Sequence, residues 1–268
     1  MPALRKNITA LHFPPFSDGI PKQHVVQGEY SLQFAHTSAE LAAIQRLRYR
    51  VFNVELAEGL DSSHKSEMDI DEFDSVCHHL FVRHTKSNQI IGTYRMQTRS
   101  MAAANLGFYS ETEFDLSDFP EADLDQSIEI GRACIAADHR SLSVLYLLWK
   151  GLGMYASHNE MRYLFGCCSL TSQDGRDGAN LYAFLEQKGH LHPTLNSVPL
   201  PDNRCCDEDA DPQARVRPPR LMRAYLSLGA KICGRPAIDR EFKTIDFLAL
   251  FDFEVLRSSD LAFYRFLS

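Results

Sequence analysis

Residues 127–156 read SIEIGRACIAADHRSLSVLYLLWKGLGMYA: a strand, a tight turn and a buried helix, and the rest of the chain is organised around them. From Ser127 to Ala136 the residues are β-branched, small or alternating, which suits a half-buried strand. On a flat strand Glu129, Gly131, Ala133 and Ile135 share one face and Ile128, Ile130, Arg132 and Cys134 the other, so Glu129 and Arg132 point apart. Gly131 lies between them, and a glycine inside a strand marks a bulge or a close backbone approach, which would turn both charges into one cleft. After Asp138, His139 and Arg140, residues Val144, Leu145, Leu147, Leu148 and Leu152 begin an apolar helix, with Ser141 or Ser143 as its N-cap. The free N–H groups and positive dipole end at that N-terminus form a phosphate site, with Arg140 as a fixed charge beside it. The bland alternative is the same strand, turn and helix with no ligand.

Upstream, residues 1–28 have no periodicity and read as an arm. Tyr30, Leu32 and Phe34 alternate along a first strand. Thr37 and Glu40 form a capping-box pair ahead of a helix whose apolar stripe is Leu41, Ile44, Leu47, Val51 and Phe52. Arg48 shares the face of Phe52, and an arginine there needs a carboxylate or a ligand. Residues 55–74 form a long acidic loop ending in Asp69, Asp71, Glu72 and Asp74, the length of a functional loop or lid. A calcium loop would place glycine and glutamate where Asp74 and Leu80 stand. HLFVRH and QIIGTYRMQT form a strand pair with Arg95 near its end. His78 and His79 face opposite ways on a strand, so no metal site is expected.

Downstream, GFYSETEFDLSDFP is a turn-rich linker into the central strand, and Tyr163–Leu170 is a buried strand. A helix over about 179–188 stops at Gly189. Residues 202–211 are mostly acidic, whereas Gln213 to Pro236 hold Arg215, Arg217, Arg220, Arg223, Lys231 and Arg235 with no carboxylate. Such a patch is either ordinary surface or a dock for an acidic carrier protein or anionic lipid. DFLALFDF reads as an apolar strand, followed by a short aromatic tail.

A chain of 268 residues, 44% hydrophobic, is long enough for one substantial core with an extension, the favoured reading, or for two small domains. The net charge of −7 argues against nonspecific nucleic-acid binding. The vicinal pairs Cys167-Cys168 and Cys205-Cys206 suit neither ordinary disulfides nor a zinc knuckle, which favours reduced thiols. Pro14 and Pro15 interrupt the short apolar run near the start and no stretch is long enough to span a bilayer, so a cytoplasmic location is expected, with peripheral membrane contact open.

Several blocks together carry a resemblance. LRYRVF (47–52), DEFD (71–74), GTYRM (92–96) and EIGRACI (129–135) are similar to the blocks shared by acyl-homoserine-lactone synthases and bacterial N-acyl amino acid synthases of the GNAT superfamily. FYSETEFDL, YLFGC and PPRLMRAYLSLGAKICGRPAIDREFKTIDFL resemble the ornithine N-acyltransferases, often labelled hemolysin-like. The resemblance implies an α/β GNAT acyltransferase fold, a mixed central sheet flanked by helices. It sets out an arm over 1–28, a core over 29–200 and a basic C-terminal extension over 201–268 packed on that core.

It further implies transfer of a fatty acyl group, commonly 3-hydroxyacyl, from an acyl carrier protein thioester to the α-amine of an amino acid, ornithine by nearest likeness. The carrier's phosphopantetheine is then a co-substrate, and no permanently bound cofactor is expected. Carried onto this chain, Glu129 is the general base, with Arg132 as its catalytic partner. Arg48, Phe52, Asp71, Asp74 and Arg95 hold the acceptor. Ala133, Cys134, Ile135, Arg140, Ser141, Leu142, Ser143 and Val144 hold the donor, and Arg215, Arg217, Arg220 and Arg223 dock the carrier. Three departures stand out. Many GNAT enzymes carry a tyrosine as general acid four residues before the glycine closing the later helix, where this chain has Leu185, with Tyr182 a turn earlier. DHRSLSV lacks the Gly-rich turn used for coenzyme A, and the only tryptophan is Trp149 rather than one following Phe52. Another amino acid as acceptor, a lactone product, or carrier or membrane binding without turnover are the rival readings.

Overall fold

The computed structural model describes residues 13–205, 210–211, 213–214 and 216–255. Among these, nine strands form the main sheet in the order β1 (Val25–Gln27), β2 (Tyr30–Phe34), β3 (His78–His84), β4 (Gln89–Thr98), β6 (Ser127–Ile135), β7 (Tyr163–Leu170), β11 (Thr244–Asp252) and β10 (Ala237–Asp239), with β9 (Lys231–Ile232) also on β11. A two-stranded ribbon pairs β5 (Phe114–Asp115) with β8 (Val198–Pro199). The helices are α1 (Ser38–Tyr49), α2 (Arg99–Ala104), α3 (Glu121–Asp125), α4 (Leu142–His158), α5 (Gly175–Gln187) and α6 (Arg220–Ser227).

Local chemistry explains several boundaries. Thr37 and Glu40 make both bonds of the capping box that starts α1, and the helix passes into a single π-helical turn over Arg50–Glu55. Ser141 Oγ accepts from Val144 N to cap α4. α5 begins four residues earlier than its composition suggests, because the Asp174 side chain accepts from Arg176 N and offsets the poor helix propensity of Gly175 and Gly178. α4 is the central buried helix: Leu147, Leu148, Leu152 and Tyr155 pack against Leu32, Leu80 and Val82 of β2 and β3.

The described residues of the segment read as an arm pack on the core. Ile20 is buried, β1 pairs with β2, and the Pro15 carbonyl receives a bond from His78 Nε2 (2.6 Å). His79 Nε2 donates instead to Asp74 O (3.0 Å), so the two histidines serve opposite faces. The segment set apart as an extension supplies β11, which pairs with β7 from Leu170↔Ile245 to Tyr163↔Asp252. Cys77, Cys134, Cys167, Cys168 and Cys233 are free thiols, whereas Cys205 is disulfide-bonded, a correction to the expectation of reduced thiols there.

The feature that positions the site lies between β6 and β7. They pair in parallel only at Ser127↔Tyr163, Ile128↔Leu164 and Glu129↔Phe165, after which β6 continues on β4 and β7 on β11. Gly166 sits where they part, and a Cβ there would lie 2.0 Å from the Ile130 carbonyl oxygen, so only glycine fits. Beyond it the sheet opens.

Candidate active site

The opening is a cavity of about 1070 Å³. Successive strand residues face opposite sides of a sheet, yet Leu164, Phe165, Gly166, Cys167 and Cys168 all line this one space. The cavity therefore passes through the sheet. On one side it meets α4 and α6 through Leu148, Trp149, Leu152, Tyr225 and Leu228, and on the other it meets Glu58, Tyr109, Phe242 and Asp246.

β6 carries the bulge anticipated from Gly131, one residue further on. Gly131 pairs with Arg95 and Cys134 with Thr93, so Arg132 and Ala133 together oppose Tyr94. Arg132 has a φ of 47°, in the left-handed region where a non-glycine residue is strained. The twist does what a flat strand would not: Glu129 and Arg132 both meet Tyr109, the first at its backbone N–H and the second at its ring. Arg132 stacks on Tyr109 (5.0 Å) and Phe242 (4.4 Å), and Phe242 in turn meets Phe52 edge to face.

The acidic loop is held by arginines. Arg48 is fully buried; its Nε donates to Asp69 Oδ2 (2.6 Å), Nη1 to Asp74 Oδ1 (2.7 Å), and Nη2 to Asp69 O (2.8 Å) and Asp74 Oδ2 (3.0 Å). Arg95 Nη1 donates to both Asp71 oxygens (2.5 and 2.6 Å) and to Asp74 Oδ1 (3.1 Å), and Arg132 Nη2 to Asp71 Oδ2 (2.8 Å). Burial acts to raise the Asp71 and Asp74 carboxyls, but the guanidiniums of Arg95 with Arg132, and of Arg48 with Arg95, outweigh it and hold both below the usual carboxylate range. Three arginines thus meet three aspartates. Phe52, Arg95 and Arg132 reach the cavity; Arg48, Asp71 and Asp74 stand behind its wall.

Glu129 is 6% exposed and saturated with donors. Gln97 Nε2 (2.6 Å) and Tyr109 N (2.8 Å) donate to Oε2, and Ser110 N (2.6 Å) and Ser110 Oγ (2.7 Å) to Oε1. A carboxylate offers about four acceptor positions, and these are filled. Glu129 therefore fixes the 3₁₀ turn Tyr109–Thr112 against the bulge.

That turn presents a residue the sequence reading passed over. Glu113 (2% exposed) lies with Cys167 and Asp246 (3% exposed), one ligating atom of each within 4.8 Å of the others. Burial, then the charges of Asp246 and Asp239, push Glu113 well above the usual carboxylate range, and burial pushes Asp246 up to about 6. FYSETEFDL spans Glu113, but nothing local in it signals that β11 would set Asp246 opposite.

On the donor side, Ala133, Cys134, Ile135, Arg140, Ser141 and Leu142 line the cavity, Ser143 is exposed and Val144 is buried in the core. Arg140 donates to the Ile135 carbonyl (3.0 Å) and pairs with Glu55 at the surface. Arg220 and Arg223 of α6 line the cavity and Arg217 is exposed, whereas Arg215 lies outside the described residues. Tyr225, on the same helix, is 2.6 Å from Tyr94 across their hydroxyls and stacks on Trp149.

The family described as Acetyltransferase (GNAT) domain matches residues 47–150. Solved structures with a similar arrangement include the AHL synthase LasI (TM-score 0.46, 13% identity, covering 84% of this chain and 91% of that one). FeeM, an N-acyl amino acid synthase from uncultured soil microbes, is another (0.46, 10%, 87% and 95%). Sequence relatives run further. The chain is 30% identical over 254 residues to the L-ornithine N(alpha)-acyltransferase of Brucella abortus, covering 88% of this chain and 89% of that protein. It is 31% identical over 250 residues to that of Rhodobacter capsulatus, covering 88% and 94%. With that identity sustained across nearly its whole length, on a GNAT fold with an open β6/β7 gap, the chain belongs to the L-ornithine N(alpha)-acyltransferase family.

Proposed function

We propose that this protein transfers a fatty acyl group, of the 3-hydroxyacyl class, from the thioester of an acyl carrier protein to the α-amine of ornithine, giving an N-acyl-ornithine of the kind that leads to ornithine lipids. The observation that carries the reading is the cavity through the sheet, apolar where it meets Leu148, Trp149 and Leu152 of α4 and Tyr225 and Leu228 of α6, and acidic where it meets Glu58 and Asp246. An acyl thioester and a cationic amino acid need those two environments on either side of one reaction point.

In the step itself the neutral amine attacks the thioester carbon, a C–N bond forms, the C–S bond breaks, and the carrier thiolate leaves and takes up a proton. Overall one proton of the acceptor ammonium is released. The bulge takes Arg132 and Ala133 out of the β4 ladder, so this backbone is the part of the strand able to turn N–H groups towards the developing oxyanion. Arg132, fixed by Asp71 and two aromatic rings, is the cation for the acceptor carboxylate. The capped N-terminus of α4 receives the phosphopantetheine phosphate, with Arg140 exchanging its exposed and therefore weak pairing to Glu55. Glu129, saturated with donors, positions the 109–112 turn rather than taking the proton.

The carrier docks on the arginines beside the cavity, which complement an acidic partner. No helix among the described residues is long and apolar enough to cross a membrane. With ornithine saturating, the double variant Arg217→Glu, Arg220→Glu is expected to raise the KM for acyl carrier protein thioester at least about tenfold and to flatten its salt dependence. The KM for the same acyl group on free pantetheine should stay as it was. Equal loss with both donors would place the docking surface elsewhere.

A further inference from the structure

Among the described residues, Glu113 and Asp246, with Cys167, form the one cluster of metal-ligating side chains, and the acyl-transfer step above does not use it. Both carboxyl side chains are almost wholly buried, and no amide, hydroxyl or cationic donor reaches Glu113 Oε1 or Asp246 Oδ1, which leaves the two carboxyls to share a proton with each other beside Ser169. The other oxygens are weakly engaged: Asp246 Oδ2 accepts from Thr244 Oγ1 (3.2 Å) and Glu113 Oε2 from the Cys167 thiol (3.9 Å). The other carboxylates near the site differ in having a cation or several donors, or in being less deeply buried, although Asp69 Oδ1 also lacks a partner. Asp69, Asp71 and Asp74 meet arginines, and Glu129 holds the turn. Asp239 accepts from Phe242 N and the Tyr109 hydroxyl, and Glu58 from Thr171 Oγ1. Two adjacent buried carboxyls without a cation are costly, so the empty site retains a proton that a cationic ligand can replace.

We infer that Glu113 and Asp246 bind the terminal ammonium of the acceptor amino acid and set the enzyme's preference for a diamino acid over one with an uncharged side chain. The inference deepens the acyl-transfer reading above and rests on it. Asp246, Cys167 and Glu58 line the cavity on the face that also carries Arg132, with Glu113 directly behind Cys167 and Asp246, so one acceptor can place its carboxylate at Arg132 and its far end at Asp246, backed by Glu113. An ammonium has three donors and no acceptor, which fits two carboxylate oxygens lacking donors. A metal ion fits less well: the third ligand would be Cys167, whose thiol burial pushes well above its usual range, against thiolate formation.

The test compares ornithine with norvaline, which has the same carbon chain but no terminal amine, as acceptors for the full-length protein and for Glu113→Gln and Asp246→Asn. The wild type should prefer ornithine in kcat/KM by about 100-fold or more, and each variant should bring that ratio towards one, mainly through the KM for ornithine. Thermal unfolding supplies a second readout: ornithine should stabilise the wild type and lose that effect in the variants. An unchanged ornithine-to-norvaline ratio in folded variants would overturn the inference, as would tight zinc binding that the variants abolish. If the wild type forms neither N-acyl-ornithine nor N-acyl-norvaline, the acyl-transfer reading itself fails, a result distinct from a ratio that does not move.

Discussion

Arg48→Ala is expected to lower the unfolding free energy by about 3–5 kcal/mol, a large fraction of what a domain of this size has in total. Arg48 is entirely buried and makes four hydrogen bonds to Asp69 and Asp74. Its removal leaves Asp69 facing only Arg132 Nε at 3.6 Å, and Asp74 with Gln45 and Arg95. The cost is the uncompensated charge left behind, more than the loss of the pair's own attraction. Because this pair anchors the loop whose Asp71 orients Arg95 and Arg132, the loss should reach the site as well. Urea unfolding reads the effect as a midpoint lower by more than about 1 M at unchanged slope. A loss below about 1 kcal/mol, the level of an exposed pair, would show that the network is not what secures the loop.

Glu129→Gln separates a positioning role from a base. Gln matches Glu in shape, so loss of a base alone would abolish turnover and leave stability untouched. The geometry predicts otherwise. Whichever way the amide is placed, its NH2 faces the backbone N–H of Tyr109 or of Ser110, and that buried donor is left without an acceptor. Stability should fall by about 1–3 kcal/mol, and kcat/KM by about 100-fold as the turn carrying Tyr109 and Glu113 shifts. The pH dependence of kcat, followed on the residual activity, should keep the same shape. An inactive variant with wild-type stability, or a profile that loses one limb, would return Glu129 to the role of base.

How much of this was legible in sequence follows from how local each feature is. The capping box of α1, strand β7 and the cap of α4 depend on residues within a turn of one another, and all three stand where the residues put them. The bulge was legible from Gly131 because one glycine between two charges on a strand has few explanations. Arg48 was legible as an arginine needing a partner, but whether that partner was protein or ligand is decided by the return path of the 55–74 loop. Asp71 and Asp74 looked available to a cationic acceptor for the same reason, and the arginines of β4, β6 and α1 claim them. The acid pair was invisible because Glu113 sits in a turn and Asp246 near the start of a strand at the far end of the chain. Only the pairing of β11 with β7 sets Asp246 beside Cys167.

The proposed reaction joins an acyl thioester to the α-amine of ornithine within the through-sheet cavity. The most direct measurement incubates the purified protein with 3-hydroxyacyl and plain acyl carrier proteins and an equimolar mixture of the twenty amino acids and ornithine, and resolves the products by mass spectrometry. The expected result is one dominant product, an ornithine acylated on its α-nitrogen by the 3-hydroxyacyl chain, with fragmentation showing the terminal amine free. A dominant N-acyl product of a neutral amino acid, a lactone, or acylation of the terminal amine would contradict it.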